Sequence, residues 1–164
     1  MGIAETFGMA FAKAQHAASA ELPTEGGVFI TVNDHDKPNV VPIARRLHDL
    51  GFTIYATENT GKYLRDRGIA AQSVLKVYEG RPNVVDLLVS GRIQLLVNTP
   101  LGKLTQRDDY TIRAAALQHR ISYTTTLSAA SAACDGIAAL RSGQRDVCSL
   151  QEWHEIARKA RAAT

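Results

Sequence analysis

The feature that most constrains this 164-residue chain is a regular alternation of short apolar runs with longer amphipathic stretches. Five runs have the length and composition of strands: "GVFITV", "FTIYAT", "SVLKV", "IQLLVNT" and "ISYTT". The stretches between and after them have helical periodicity: "PNVVPIARRLHDLGF", "TGKYLRDRG", "RPNVVDLLVSG", "DDYTIRAAALQHR" and "LSAASAACDGIAAL". Such alternation predicts parallel strands joined by right-handed crossovers. We therefore expect an α/β fold, a flavodoxin-like three-layer sandwich of about five parallel strands with helices on both faces.

Local signals predict where several helices begin. A further helix is predicted over residues 1–20, and "SLQEWHEIARKARAA" forms a last one. Pro42 falls early in the helix after the first strand, so its start is predicted to be later than Asn39. Side-chain caps are expected at three places: Asp108, Thr126 and the capping box Ser149-x-x-Glu152.

Composition excludes several classes of protein. No segment approaches the roughly 20 consecutive apolar residues of a membrane span. The net charge of +3 includes a basic C-terminal tail, without the dense basic stripe and interleaved aromatics of a nucleic-acid surface. The N-terminus has Glu5 within its apolar pattern and no basic start, unlike a signal peptide. Cys134 and Cys148 have no CxxC spacing, so we expect reduced thiols and a cytoplasmic protein.

Polar residues follow the predicted strands at the edge where a parallel sheet binds its ligands. Lysines supply charge there, and hydroxyls and helix N-termini supply directed donors, which together suit a phosphate dianion. The alternative is that the threonines are only helix caps and the lysines only solvated surface residues. The strand-end residues are Thr31 and Lys37 after the first strand, Thr57 and Thr60 after the second, Lys76 ending the third, Asn98 and Thr99 ending the fourth, and Thr124 and Thr125 ending the fifth.

Catalytic signals at this edge are weak. Its carboxylates, Asp34, Asp36, Glu58 and Glu79, are typical of turns and surfaces, and His35 has no evident orienting partner. There is no Cys/His cluster or HxxE pair for a metal, no GxSxG and no GxxxxGK[ST]. The sequence thus favours binding over catalysis, with no catalytic residue and no metal site predicted.

The order of the motifs along the chain is similar to that of a known protein family. The stretches "AFAKAQ", "FITVNDHDK", "LGFTIYATENT", "VLKVYEGRPNVVDLLVSGRIQLLVNTPLG" and "DDYTIRAAALQHRISYTTTLSAA" resemble the C-terminal allosteric domain of the carbamoyl phosphate synthase large subunit. The resemblance runs in register from about Met1 to Leu140, and "KVxEGRPNxxD" and "NTPxG" are its most specific elements. It implies a methylglyoxal-synthase-like fold. It also implies that residues 1–22 are a helical segment leading out of an upstream synthetase domain and that residues 23–164 are the regulatory domain.

The resemblance further implies a regulatory, non-catalytic function. The family domain binds UMP as an inhibitor, IMP as an activator, and ornithine at its border with the neighbouring domain. It has no cofactor of its own, although the parent ligase uses ATP and Mg for pyrimidine and arginine biosynthesis. The implied partners are the other synthetase domains and the glutamine amidotransferase small subunit, with homo-oligomers left open.

Matched residue by residue, the family pattern assigns roles to the strand-end set. The resemblance implies that the effector phosphate is bound by Lys37, Thr57, Thr60 and Lys76. It implies further effector contacts at Thr31, Asn98, Thr99 and Asp108, and an ornithine contact at Thr125. This chain departs from some relatives at three positions: Asn59 stands where bacterial members often have a glycine, Pro100 where some have a threonine, and Thr124 where some have an aspartate.

The alternative within the fold is methylglyoxal synthase itself, a lyase acting on dihydroxyacetone phosphate. Its "HDxxK" element is partly matched by "NDHDK". Its catalytic Gly-Asp, however, corresponds to Gly80-Arg81, which leaves proton abstraction without an evident base.

Overall fold

The computed structural model describes residues 1–100, 106–143 and 147–162. Five strands form one parallel sheet: β1 (Gly27–Val32), β2 (Thr53–Ala56), β3 (Gln72–Ser73), β4 (Leu95–Thr99) and β5 (Ser122–Thr124). The helices are α1 (Phe7–Ala17), α2 (Lys37–Asp49), α3 (Glu58–Arg65), α4 (Val84–Val89), α5 (Gln106–Gln118), α6 (Leu127–Ser142) and α7 (Leu150–Ala162). The predicted α/β sandwich of five parallel strands is confirmed.

The order of the strands shows where a sheet of this kind would bind a ligand. The strands lie in the order β3-β2-β1-β4-β5, so the chain moves outward from β1 to β3 and then returns to the other side of β1. The direction of winding therefore reverses between β1 and β4. Parallel α/β sheets bind ligands beyond the carboxyl ends of their strands at such a reversal.

Alternate strand residues build a core on each face of the sheet, because successive side chains of a strand point to opposite sides. Val28 and Ile30 of β1 pack in the cluster that includes α2 and α6. Phe29 of the same strand packs in the second cluster, with residues of α4 and α5. Burial on both faces explains why the central strands read as nearly continuous apolar runs.

Helix α1 packs closely on α6 through small residues. A Cβ added at Gly8 would lie 2.4 Å from the backbone oxygen of Asp135, so the two helix backbones approach at this point. Ala12 is buried in the core. The segment after α1 is also held, because the Ser122 hydroxyl donates to the carbonyl oxygen of Glu21 at 2.7 Å.

Two predicted caps are confirmed. The Thr126 hydroxyl accepts from the Ala129 amide at 3.2 Å, and Ser149 and Glu152 form the reciprocal bonds of a capping box. The cap expected at Asp108 was wrong, because α5 begins at Gln106 and already includes that residue.

Two other boundaries differ from expectation. Helix α2 begins at Lys37, earlier than predicted, because Pro38 supplies a fixed φ suited to the first turn. Strand β3 has only two residues, so Lys76 does not end it and instead lies beside the following turn.

None of the helices in the described part of the chain combines the length and the apolar character that crossing a membrane requires. Within the same residues, no group of three or more His, Cys, Asp or Glu side chains is placed to hold a metal ion.

Candidate functional site

A cavity of about 500 Å³ opens at the carboxyl edge of β1, β2 and β4, where the winding reverses. A larger cavity of about 920 Å³ lies at the opposite edge, lined by residues that precede β1, β4 and β5. We take the first as the candidate site because parallel sheets bind ligands at the carboxyl edge. Seven of the nine predicted site residues line it: Thr31, Lys37, Thr57, Thr60, Lys76, Asn98 and Thr99.

The other two predicted residues are not among the described residues that line the cavity. Thr125 is exposed at the end of β5, the edge strand of the sheet, and does not line the cavity. The Asp108 side chain lies outside the described part of the chain, although its neighbour Asp109 lines the cavity.

A row of hydroxyls lies at one end of the cavity. Thr57 donates to the Thr60 hydroxyl oxygen at 3.3 Å, and its own oxygen lies 3.4 Å from that of Thr31. Thr57 and Thr60 are buried. Although Thr57 occupies the N-cap position of α3, its side chain makes no capping hydrogen bond. The alternative that Thr57 is only a helix cap is therefore wrong. The backbone N–H groups in the first turn of α3 donate no hydrogen bond to the Thr57 side chain.

The two lysines reach the same cavity from different elements. Lys37, at the first position of α2, has a side chain only 16% exposed, and its Nζ lies 2.6 Å from the Asp34 carboxylate. This lysine holds the pKa of Asp34 below its ordinary value, first through the hydrogen bond and then through its charge. Lys76 is exposed, and its backbone amide donates to the Glu79 carboxylate at 2.8 Å.

Asn33 fixes the loop that positions Lys37. Its side-chain amide donates to Asp36 at 2.7 Å and to the Thr99 hydroxyl at 3.3 Å, and its oxygen accepts from the Asp36 amide at 3.1 Å. These bonds join the β1–α2 loop to the end of β4. The sequence analysis did not predict this role for Asn33.

A second network, which the sequence reading missed, lies behind Asn98. The Asn98 amide nitrogen donates to Asp109 at 2.8 Å and to the Tyr123 hydroxyl oxygen at 3.1 Å. Tyr123 in turn donates to the same Asp109 oxygen at 2.6 Å, and Arg113 donates to the other oxygen at 3.1 Å. Burial, and then the bond to Asp109, raises the pKa of Tyr123 to about 12.

The structure is an α/β domain whose cavity, at the point where the winding of the sheet reverses, is lined by threonine hydroxyls, two lysines and several carboxylates. The family model described as "MGS-like domain" matches residues 39–125. The chain therefore belongs to the family of MGS-like domains.

Curated relatives extend the similarity over almost the whole chain. It is 55% identical over 158 residues to the carbamoyl phosphate synthase large chain of Gemmatimonas aurantiaca, covering 96% of this chain and 14% of that protein. It is 48% identical to the carbamoyl phosphate synthase large chain, C-terminal section, of Methanopyrus kandleri, covering 94% of this chain and 29% of that protein. The corresponding section from Aquifex aeolicus is 44% identical, with 95% and 30% covered.

This chain thus spans between 14% and 30% of the length of these relatives. Among solved structures, the crystal structure of ForH superposes with a TM-score of 0.47 at 18% identity, over 82% of this chain and 90% of that chain. That similarity is too distant to bear on function.

Proposed function

We propose that this chain is the regulatory domain of a carbamoyl phosphate synthase large chain and that its cavity binds nucleotide monophosphate effectors, UMP as inhibitor and IMP as activator. Its similarity to C-terminal sections of such large chains supports the assignment. The remaining synthetase domains and the glutamine amidotransferase small subunit would be its partners, and ATP and Mg would be used elsewhere in the parent enzyme.

One observation carries the proposal. Lys37 and Lys76 reach the same cavity as the Thr31–Thr57–Thr60 hydroxyls and the start of α3. Ammonium groups, hydroxyls and a helix N-terminus are the groups that bind a phosphate dianion. The cavity volume of about 500 Å³ is in the range of small-molecule sites, about 300–1,000 Å³.

The carboxylates around the cavity favour binding over proton abstraction, because each already has a described partner. The pairs are Asp34 with Lys37, Asp36 with Asn33, Glu58 with Arg65, Glu79 with the Lys76 amide, and Asp109 with Arg113. The family resemblance puts Arg81 where the lyase has its aspartate, and this arginine is 85% exposed and lies 3.8 Å from Asp86. A methylglyoxal-synthase activity would therefore lack its base.

Regulation requires that an effector bind the active and less active states of the whole enzyme with different affinity. Ornithine would bind outside this cavity, at the exposed Thr125, where a neighbouring domain of the same large chain could complete the site.

Calorimetric titration of the chain with UMP, IMP and uridine in phosphate-free buffer tests the proposal. Binding of UMP or IMP with much weaker binding of uridine is the expected result. Failure of both nucleotides to bind would refute it, as would measurable conversion of dihydroxyacetone phosphate to methylglyoxal by the same preparation.

A further inference from the structure

The position of Asn98 relative to the hydroxyls divides the cavity into two ends. Thr31 of β1 pairs in register with Asn98 of β4, and Phe29, two residues earlier, pairs with Tyr55 of β2. Thr57, which directly follows β2, therefore continues a row with Thr31 of β1 and Asn98 of β4, on the face that carries α5. Two strand spacings of about 4.8 Å place Asn98 roughly 10 Å from Thr57. This is about the distance from the phosphate to the nucleoside half of a nucleotide.

The network behind Asn98 determines how its amide is oriented. A carboxylate accepts hydrogen bonds and donates none, so the side-chain atom of Asn98 that faces Asp109 must be the nitrogen. The same nitrogen also donates to the Tyr123 oxygen at 3.1 Å. Tyr123 cannot reverse this bond, because its own hydrogen goes to Asp109 at 2.6 Å.

The Asn98 nitrogen therefore faces Asp109 and Tyr123, and among the residues that the structure describes none donates a hydrogen bond to the side-chain oxygen Oδ1. Asn98 is only 5% exposed and lines the cavity. A buried acceptor without a partner is costly, so a ligand that supplies a donor gains affinity and one that supplies an acceptor loses it. Arg113 keeps the arrangement in place by neutralising Asp109 at 3.1 Å.

We infer that Asp109 and Tyr123 are positioning residues that fix Asn98 as a hydrogen-bond acceptor, so that the cavity selects ligands carrying an N–H or O–H donor on the nucleoside half. The inference rests on the proposed nucleotide function and deepens it. Two donors have this chemistry, an N–H of the base or a hydroxyl of the ribose. Uracil has such an N–H, whereas cytosine has an acceptor at the same ring position.

Isosteric variants test the positioning role. In Asp109→Asn the group facing Asn98 is no longer an obligate acceptor, so the Asn98 amide can turn over. We expect UMP affinity to fall about tenfold, the scale of one charge-assisted hydrogen bond, while affinity for inorganic phosphate stays within about twofold. Tyr123→Phe removes one of the two partners and should lower UMP affinity about threefold. Tyr110→Phe, on the same helix as Asp109 but 75% exposed, is the matched control and should change neither.

The ligand series identifies the donor. UMP, CMP, ribose 5-phosphate and inorganic phosphate are titrated against each variant, with melting temperatures recorded to establish folding. A loss for UMP alone assigns the base N–H, and an equal loss for UMP and ribose 5-phosphate assigns a ribose hydroxyl; both support the inference. Equal losses for UMP and inorganic phosphate, or no loss in either folded variant, overturn it. Absence of UMP binding to the unaltered chain would refute the proposed function as well, which distinguishes the two failures.

Discussion

Replacing the less exposed of the two cavity lysines should weaken nucleotide binding without affecting nucleoside binding. The Lys37 side chain is 16% exposed, whereas Lys76 is exposed. A hydrogen bond to a charged group contributes about 1.5–3 kcal/mol when shielded from water, and an exposed ion pair only about 0.2–1 kcal/mol. At about 1.4 kcal/mol per tenfold change, Lys37→Ala should weaken UMP binding about 10- to 100-fold and Lys76→Ala about 1.5- to 5-fold.

Calorimetric titration with UMP and uridine separates this effect from general damage. Uridine has no phosphate, so its weak binding should be the same in both variants and in the unaltered chain. Lys62→Ala is the matched control, because this lysine is exposed in the last turn of α3, does not line the cavity, and its loss changes the net charge equally. Equal losses for UMP and uridine in Lys37→Ala, or an equal loss of UMP affinity in Lys62→Ala, would refute the reasoning.

Two further perturbations test other parts of the structure. Asp34→Asn frees Lys37 from its carboxylate partner and should strengthen UMP binding about twofold to fivefold at pH 7; weaker binding in calorimetry would contradict this. The lowered pKa of Asp34 means that its pair with Lys37 stabilises the fold above the ordinary value of 3.8 and ceases to do so as the pH falls through the lowered pKa. Gly8→Ala places a methyl group 2.4 Å from the Asp135 carbonyl oxygen, and overpacking of about 1–3 kcal/mol should exceed the helix-propensity gain of up to about 1 kcal/mol. Its melting temperature should fall by a few degrees, and an unchanged or higher value would show that α1 does not pack on α6 as described.

The sequence predicted the central strands better than the edge of the sheet. The bounds of β1 agree with the run "GVFITV", because a strand buried on both faces is apolar throughout. The run "SVLKV" gave a false boundary for β3. Strand β3 pairs with Tyr55 and Ala56 of β2. After Ala56 the backbone leaves the sheet and enters α3, so β2 offers no further residue for pairing. With no partner left, Leu75 departs to bridge Asn83 and is 41% exposed.

The grouping of strand-end residues around one cavity could be predicted because parallel strands bring their carboxyl ends to one edge of the sheet, whichever strands are neighbours. Thr31, Thr57 and Asn98 were predicted as site residues only from their positions at the ends of apolar runs. The supporting network could not be found in this way. Asp109 and Arg113 have the i,i+4 spacing of an ordinary surface pair, and only the tertiary structure brings Tyr123 of β5 against them.

Lys76 and Asn98 differ in exposure, and we expect this difference to separate anchoring from selection. Lys76 is exposed, and a lysine ammonium is a point charge on a flexible stem, so it would add affinity for any phosphate without distinguishing one nucleotide from another. Asn98 is buried and held by two partners from α5 and β5, so it presents one polar group in one place. Two ligands that share a phosphate are distinguished when one gives a protein polar group a hydrogen-bond partner and the other does not. The free-energy cost of the missing partner is large only where that polar group is buried and cannot turn. Selectivity between nucleotides should therefore respond to changes around Asn98, while changes at the lysines should alter affinity for all of them together.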